Sequence, residues 1–430
     1  MNTLRPILIT AGAALISACG SGPSDAPDAR ETGEPATSLT LSGIVTDNPI
    51  VNASVMVRVA DTEFGDAPPT GSNGEFQVDI SSTQANALVV AEAMDAVNGV
   101  RLSAVLDTFS NFEARARNGR VDGVKITNVT TAAQVLAERL AVDGSVDSVD
   151  EYRELLERVD ADTLYELSAA IKVVVENIGG TTLPAGISDT AALARAVAAG
   201  NSSFLTDLAT SSPTALATAR ARLLTDGNAT IPFDTNSAPG VYAAIEDNFI
   251  YAVFGNGTAL VDYREDVSVP GTPAWSLNSN GQIDIRFFGF ERTNDKISAI
   301  GQVGDVMHVV RETDFGNAQA VEASGVHKFG FGTPFAASNA PGTWLDGAME
   351  TSRWVFETSG LGYRLNTATQ VQEETFAWSV TADGRLSLDF DDSNEVLQFQ
   401  RIDSGADDVL VIRRFGGEAT VMALSTLVKE

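Results

Sequence analysis

Once ordinary surface acid is set aside, few residues of this chain could do chemistry. Its 430 residues hold two histidines, His308 and His327, and one cysteine, Cys19. The histidines stand nineteen positions apart, a spacing that fits neither a zinc-binding helix nor a catalytic pair. A single cysteine forbids an intrachain disulfide. No nucleophile elbow, Walker loop or dinucleotide fingerprint occurs. Carboxylates are the abundant reagent, with 57 Asp and Glu against 28 Lys and Arg and a formal charge of −29. A carboxylate-pair hydrolase therefore has material everywhere and a signature nowhere.

One acidic stretch does have metal-ligand spacing. Asp143, Ser145, Asp147, Glu151 and Glu154 take places 1, 3, 5, 9 and 12 of a calcium loop. Ser148 stands at the sixth place, where the sharp turn needs glycine. The competing reading is a helix start, with Ser148 and Glu151 as a capping box and the acids at the positive helix end. Calcium is the one cofactor this pattern suggests. Asp389, Asp391, Asp392 and Glu395 form a second acidic patch that reads as a solvated hairpin. So negative a chain is a poor match for nucleic acid or for broad contact with anionic headgroups. At 44% hydrophobic residues it can bury real cores, in two to four domains of ordinary size.

The cysteine points to an anchor. Arg5 and the apolar run Pro6 to Ala18 have the plan of a secretory signal, shorter than the roughly 20 residues of a spanning helix. The run ends Leu15-Ile16-Ser17-Ala18-Cys19, which resembles the lipobox of bacterial lipoproteins. That resemblance implies a signal peptide over 1–18, cleavage before Cys19, and acylation of its sulfur and new amine. The membrane is then a partner through stable multi-chain anchoring. Gly20, rather than Asp, after the cysteine implies the outer membrane. Residues 19–38, rich in Gly, Pro, Ser and acid, read as a flexible tether.

Behind the tether the pattern predicts a mixed, multidomain chain. Residues 39–129 alternate in the manner of strands, as in Val55-Met-Val-Arg-Val59, with turns at Asp47-Asn-Pro49 and Ser72-Asn-Gly74. Ser42-Gly-Ile-Val45, Pro49 to Val55 and Gly71 to Phe76 resemble the carboxypeptidase-regulatory-like, transthyretin-like β-sandwich. The resemblance implies that fold and a non-catalytic module. Residues 130–230 read as helices: Leu164, Leu167, Ile171, Val174 and Ile178 recur at helical spacing, Gly179-Gly180 stops that run, and Ser212-Pro213 opens another.

The remainder is duplicated, over 238–330 and 338–430. Pro239-Gly-Val-Tyr242, Val253-Phe254, Ala274-Trp-Ser-Leu277, Asn280-Gly281 and Val309-Val-Arg311 return as Pro341-Gly-Thr-Trp344, Val355-Phe356, Ala377-Trp-Ser-Val380, Asp383-Gly384 and Val411-Ile-Arg413, displaced by 102 or 103 positions. Each copy reads as an antiparallel meander of about six to eight strands, and two barrel-like units or one fused sheet would both fit. The Gly-x-Trp opening resembles lipocalin-type barrels. Tyr242, Trp275, Trp344 and Trp378 are either repeated core residues or rings presented to a ligand. Trp354 aligns with Ala252 and has no aromatic counterpart, so Trp354, Tyr242 and Trp344 are the ligand-binding candidates. The function expected is a membrane-anchored, non-catalytic binding or interaction protein. Its partner would be an envelope protein, a glycan or a small apolar ligand, the last carried in a barrel-like unit.

Overall fold

Alternating apolar residues make the N-terminal region two sheets packed face to face. The computed structural model describes residues 36–430 apart from 48, 66, 245–248, 264–272, 288–292, 304–305, 317, 347–351, 383, 391–395, 403–407 and 417–420. Cys19, the signal segment and nearly all of the tether lie outside the described residues, as do Asp391, Asp392 and Glu395. The first region runs β1 (Thr37–Val45), β2 (Ser54–Val59), β3 (Thr62–Phe64), β4 (Glu75–Ser82), β5 (Leu88–Asp95), β6 (Val100–Thr108), α1 (Phe109–Arg115) and β7 (Arg120–Ile126). One sheet has the order β4-β1-β7 and the other β3-β2-β5-β6. In β4, Phe76, Val78 and Ile80 are buried while Glu75, Gln77 and Asp79 face water, the period-two pattern of a half-buried strand. β1 pairs antiparallel with β4 but parallel with β7, through a register shift between Leu41 and Gly43. A Cβ on Gly43 would lie 2.0 Å from the Val124 carbonyl oxygen, so only glycine lets β7 come that close.

Helices follow: α2 (Asn128–Leu140), α3 (Val149–Glu157), α4 (Ala161–Val175), α5 (Thr190–Ala198), α6 (Phe204–Ser211) and α7 (Pro213–Thr225). Their starts have side-chain reasons. Thr127 and Thr130 cap α2 reciprocally, Asp160 accepts from the Thr163 amide, and Asp189, not the neighbouring Ser188, caps α5. Pro213 occupies the first turn of α7. No described helix is long and apolar enough to cross a membrane.

The duplicated half forms two separate units. The first comprises β8 (Gly240–Ala244), β9 (Phe249–Val253), β10 (Ala259–Tyr263), β11 (Ala274–Leu277), β12 (Ile283–Arg286), β13 (Asn294–Val303), β14 (Val306–Asp314) and β15 (Gln319–Phe329). The second comprises β16 (Gly342–Asp346), β17 (Ser352–Phe356), β18 (Leu361–Asn366), β19 (Gln372–Val380), β20 (Leu386–Phe390), β21 (Val396–Arg401), β22 (Asp408–Gly416) and β23 (Val421–Lys429). The second is a closed eight-stranded barrel. The first is an eight-stranded sheet whose edges β10 and β11 meet, among the described residues, at the bridge Thr258–Ala274. Sequential hairpins dominate both, and the last strand returns to the first.

The units are packed onto one another. One apolar core joins the sandwich, α2 to α4, and Ile300, Val310 and Ala323 on the outer face of the first barrel. The Ala323 amide donates to Asp162 of α4 at 3.1 Å. On the other side Val241, Ala243, Ile250 and Ala252 pack with Ile402 of the second barrel.

Candidate functional site

The aromatic candidates sit inside the barrels. Tyr242, Trp344 and Trp354 are 1%, 4% and 1% exposed. The Tyr242 hydroxyl donates to the Ala238 carbonyl at 2.6 Å, and Trp344 Nε1 donates to the Ala340 carbonyl at 2.9 Å. Phe233 meets Tyr242 edge-on and Phe335 meets Trp344 likewise, with centroids 6.0 and 6.2 Å apart. Lys328 lies over the Tyr242 ring and Lys429 over Trp344. Each copy thus closes one barrel end with the same Phe, aromatic and Lys set. These rings are core residues.

Strand register corrects the alignment at Trp354. Trp344 pairs with Trp354 across β16 and β17, and Tyr242 pairs with Tyr251 across β8 and β9. The counterpart of Trp354 is therefore Tyr251, not Ala252, because the connection between these strands is one residue longer in the second copy. A slip of one residue turns a side chain to the opposite face of its strand. Tyr251 is fully buried, and its hydroxyl donates to Asp295 at 2.6 Å. Trp354 donates its indole N–H to Asp346 at 3.0 Å. Around it stand Phe376, Phe390 and Phe399, with centroids 5.7, 6.4 and 5.9 Å away.

The Asp143–Glu154 stretch forms a turn and a cap. Asp143 accepts from the Ser145 amide and hydroxyl, and Ser148 accepts from the Glu151 amide at 3.1 Å. Glu151 reaches back one residue beyond the cap, to the Asp147 amide at 2.9 Å. Among the described residues, no group of three or more acids, histidines or cysteines is gathered to hold a metal ion. His308 and His327 lie on the paired strands β14 and β15, opposite Gly325 and Val306. His308 is buried against the α3–α4 corner, where Nε2 donates to the Val159 carbonyl at 3.3 Å. Burial pushes its pKa below the ordinary value and favours the neutral ring, against the pull of the Val159 and Leu156 backbone and of Asp160.

Two features are not legible in any motif. The first is a buried ion cluster between sandwich and helices. Lys172, 1% exposed within the apolar run of α4, donates to Asp47, to Glu176 at 2.8 Å and to Asp226 at 3.3 Å. Burial opposes the charge on Lys172, but the carboxylates outweigh it and raise its pKa. Burial pushes Asp47 up to about 7 despite Lys172, with Glu176 and Asp226 adding repulsion. Three carboxylates share one ammonium, and the most deeply buried of them holds a proton most readily. A lysine on the buried face of a helix was the available signal, but its partners lie far away in sequence.

The second feature is a cleft of about 620 Å³ where sandwich, helices and first barrel meet. Val105 of β6, Ala133 of α2, Leu156 of α3, Leu164 of α4 and Ile300 of β13 supply apolar wall. Lys125, Tyr152, Arg153 and His308 are its titratable groups, beside neutral polar side chains such as Thr130, Asn228 and Gln302. Lys125 is half-buried, with Nζ donating to the Gly227 carbonyl at 3.0 Å, and burial lowers its pKa against the opposing pull of Asp226. Burial, helped by Glu138, raises the pKa of Tyr152 and keeps its hydroxyl protonated. A concave, mostly apolar site with a few converging polar groups, at a junction of units, has the geometry of small-molecule binding.

No protein-family model matches the chain, and no curated protein matches it.

Proposed function

We propose that this protein is a lipid-anchored, non-catalytic binding protein of a bacterial outer membrane, and that the three-way cleft is its ligand site. The cleft is the observation that carries the reading. Its volume of about 620 Å³ falls within the range that holds a small organic molecule. Its walls come from three units, so a ligand there would contact all of them and favour their docked arrangement. The second barrel is a weaker place for cargo, because Trp354, Phe356, Phe376, Phe390 and Phe399 pack on one another through its described interior. The Ile-Ser-Ala-Cys19 ending supports anchoring, and the tether would hold the folded part clear of the bilayer.

The test is native mass spectrometry of the protein extracted from its own envelope. Val105 is half-buried at the cleft wall, and Val105→Trp fills space there with little disturbance of the sandwich core. The wild type is expected to carry a small molecule that this variant lacks. The same retained mass in both, or none in either, would sink the cleft as the site.

A further inference from the structure

We infer that the cleft takes a small amphipathic anion, an organic acid with one negative head on an apolar body. This rests on the cleft being the ligand site and adds the class of ligand. The argument starts from charge. The chain has about two acids for each base, 57 against 28, yet among the described residues no aspartate or glutamate lines the cleft. Its charged lining is Lys125 and Arg153. The carboxylates that act on lining groups, Asp226 on Lys125, Glu138 on Tyr152 and Asp160 on His308, stand outside the lining, so an anion in the cleft meets the two cations first, and low-dielectric walls concentrate their potential.

Lys125 is the better anchor of the two. Arg153 lies exposed on α3 and pairs with Asp150 at 3.2 Å. Lys125 is half-buried, and among the described residues no carboxylate comes within ion-pair distance of it. Its one described hydrogen bond goes to a neutral carbonyl, that of Gly227. An ammonium has three donors, so two remain to serve a carboxylate oxygen. A hydrogen bond between ionised partners is shorter and stronger than a neutral one, so a half-buried ammonium gains most from an anionic acceptor. Tyr152, kept protonated by burial, is a further donor on the same lining, and neutral His308 does not add charge. The apolar wall of Val105, Leu156, Leu164 and Ile300 then suits the body of the molecule rather than a bare inorganic ion.

Three probes that differ only in the head group test this: 4-phenylbutyrate, 4-phenylbutanol and 4-phenylbutylamine. Each is titrated calorimetrically into the full chain in neutral-lipid nanodiscs, with empty discs as the blank. The acid is expected to bind at least tenfold more tightly than the alcohol, and the amine more weakly than either. Lys125→Met is expected to bring acid binding down to the level of the alcohol, whereas Lys125→Arg, which keeps the charge, retains the preference for the acid, a pattern that mere loosening of the fold would not give. Val105→Trp is expected to abolish binding of both. Equal binding of acid and alcohol by the wild type, lost in Val105→Trp, would overturn the anion inference and leave the cleft standing. Acid binding that survives Val105→Trp would overturn the cleft itself. No binding of any probe would overturn the inference, with the cleft then judged on the retained mass alone.

Discussion

The two barrels share a scaffold and differ in what fills it. Both begin with a Pro-Phe segment that crosses one end and packs on a glycine turn. The Phe233 amide donates to the Gly281 carbonyl at 2.8 Å, and the Phe335 amide to that of Gly384 at 3.0 Å. Both set an aromatic ring on the second strand and satisfy its polar atom with a buried carboxylate. The carboxylates come from different places. In the first copy it is Asp295 on β13, opposite Ile285; the equivalent of Asp295 in the second copy is Leu397, opposite Leu388. In the second it is Asp346 on β16, paired with Leu427; its equivalent in the first is Ala244, paired with Val326. A buried donor needs an acceptor, but the fold does not dictate which strand supplies it. Duplication preserved the shape of the polar requirement, while its solution diverged.

The largest effect is expected at Trp354→Ala. It removes the ring at the centre of the aromatic cluster and takes a donor from the buried Asp346, so about 3–5 kcal/mol of stability should be lost. Tyr251→Phe in the first barrel leaves the ring in place but removes the donor to Asp295 and the acceptor of Arg311 Nη1 at 3.4 Å, at a cost of about 1–3 kcal/mol. Denaturant unfolding of the two variants measures the difference. Equal losses would break the view that the second barrel rests on its aromatic interior and the first on a smaller, partly polar one.

An effect of the same size as that of Tyr251→Phe is expected at a pair of glycines that should behave alike. Gly281 and Gly384 have φ of +71° and +77°, and a Cβ at either would approach the Cβ of Pro232 or Pro334 to 2.6 or 2.2 Å. Backbone and space both demand glycine. Alanine at either site should cost about 1–3 kcal/mol and loosen the segment that closes the barrel end. Hydrogen exchange at the Phe233 and Phe335 amides would report it. A change that matters in one copy alone would show that the end closure is not a shared element.

Much of this architecture is legible in the sequence, and the failures have physical causes. The repeat, the β character of its units and the helices between residues 130 and 230 all follow from periodicity and turn residues. Pro213 opens α7, as the Ser212-Pro213 step predicts. The short helix α1 escapes because only Phe109 and Phe112 are buried on it. The constant offset aligns Trp354 with Ala252 because it hides a one-residue difference in a connection, and a strand reverses its faces over that distance. The cleft is illegible for another reason. Its lining runs from Val105 to His308 and belongs to no motif, so only the docking of three units brings Lys125 beside Leu156 and Ile300. Asp47 and Lys172 meet across 125 positions in the same way.

The smallest expected effect tests how closely the two copies remain equivalent. Trp275 Nε1 donates to the Phe254 carbonyl at 2.6 Å, and Trp378 Nε1 donates to the Glu357 carbonyl at 2.9 Å. Both bonds tie the fourth strand of a copy to the hairpin between its second and third. In the closed barrel this tie is redundant, since β18 and β19 are paired along their length and Trp378 reaches a second carbonyl, that of Leu361. Among the described residues of the first unit the same edges meet at a single bridge, so the indole of Trp275 carries more of the closure. Trp275→Phe should therefore cost about 1–1.5 kcal/mol and Trp378→Phe about 0.5 kcal/mol or less. Measured by the same unfolding assay, the reverse order would mean that the seam of the first unit is held elsewhere. The expected order would identify the bridge beside Trp275 as the point where an open sheet is kept curled into a barrel.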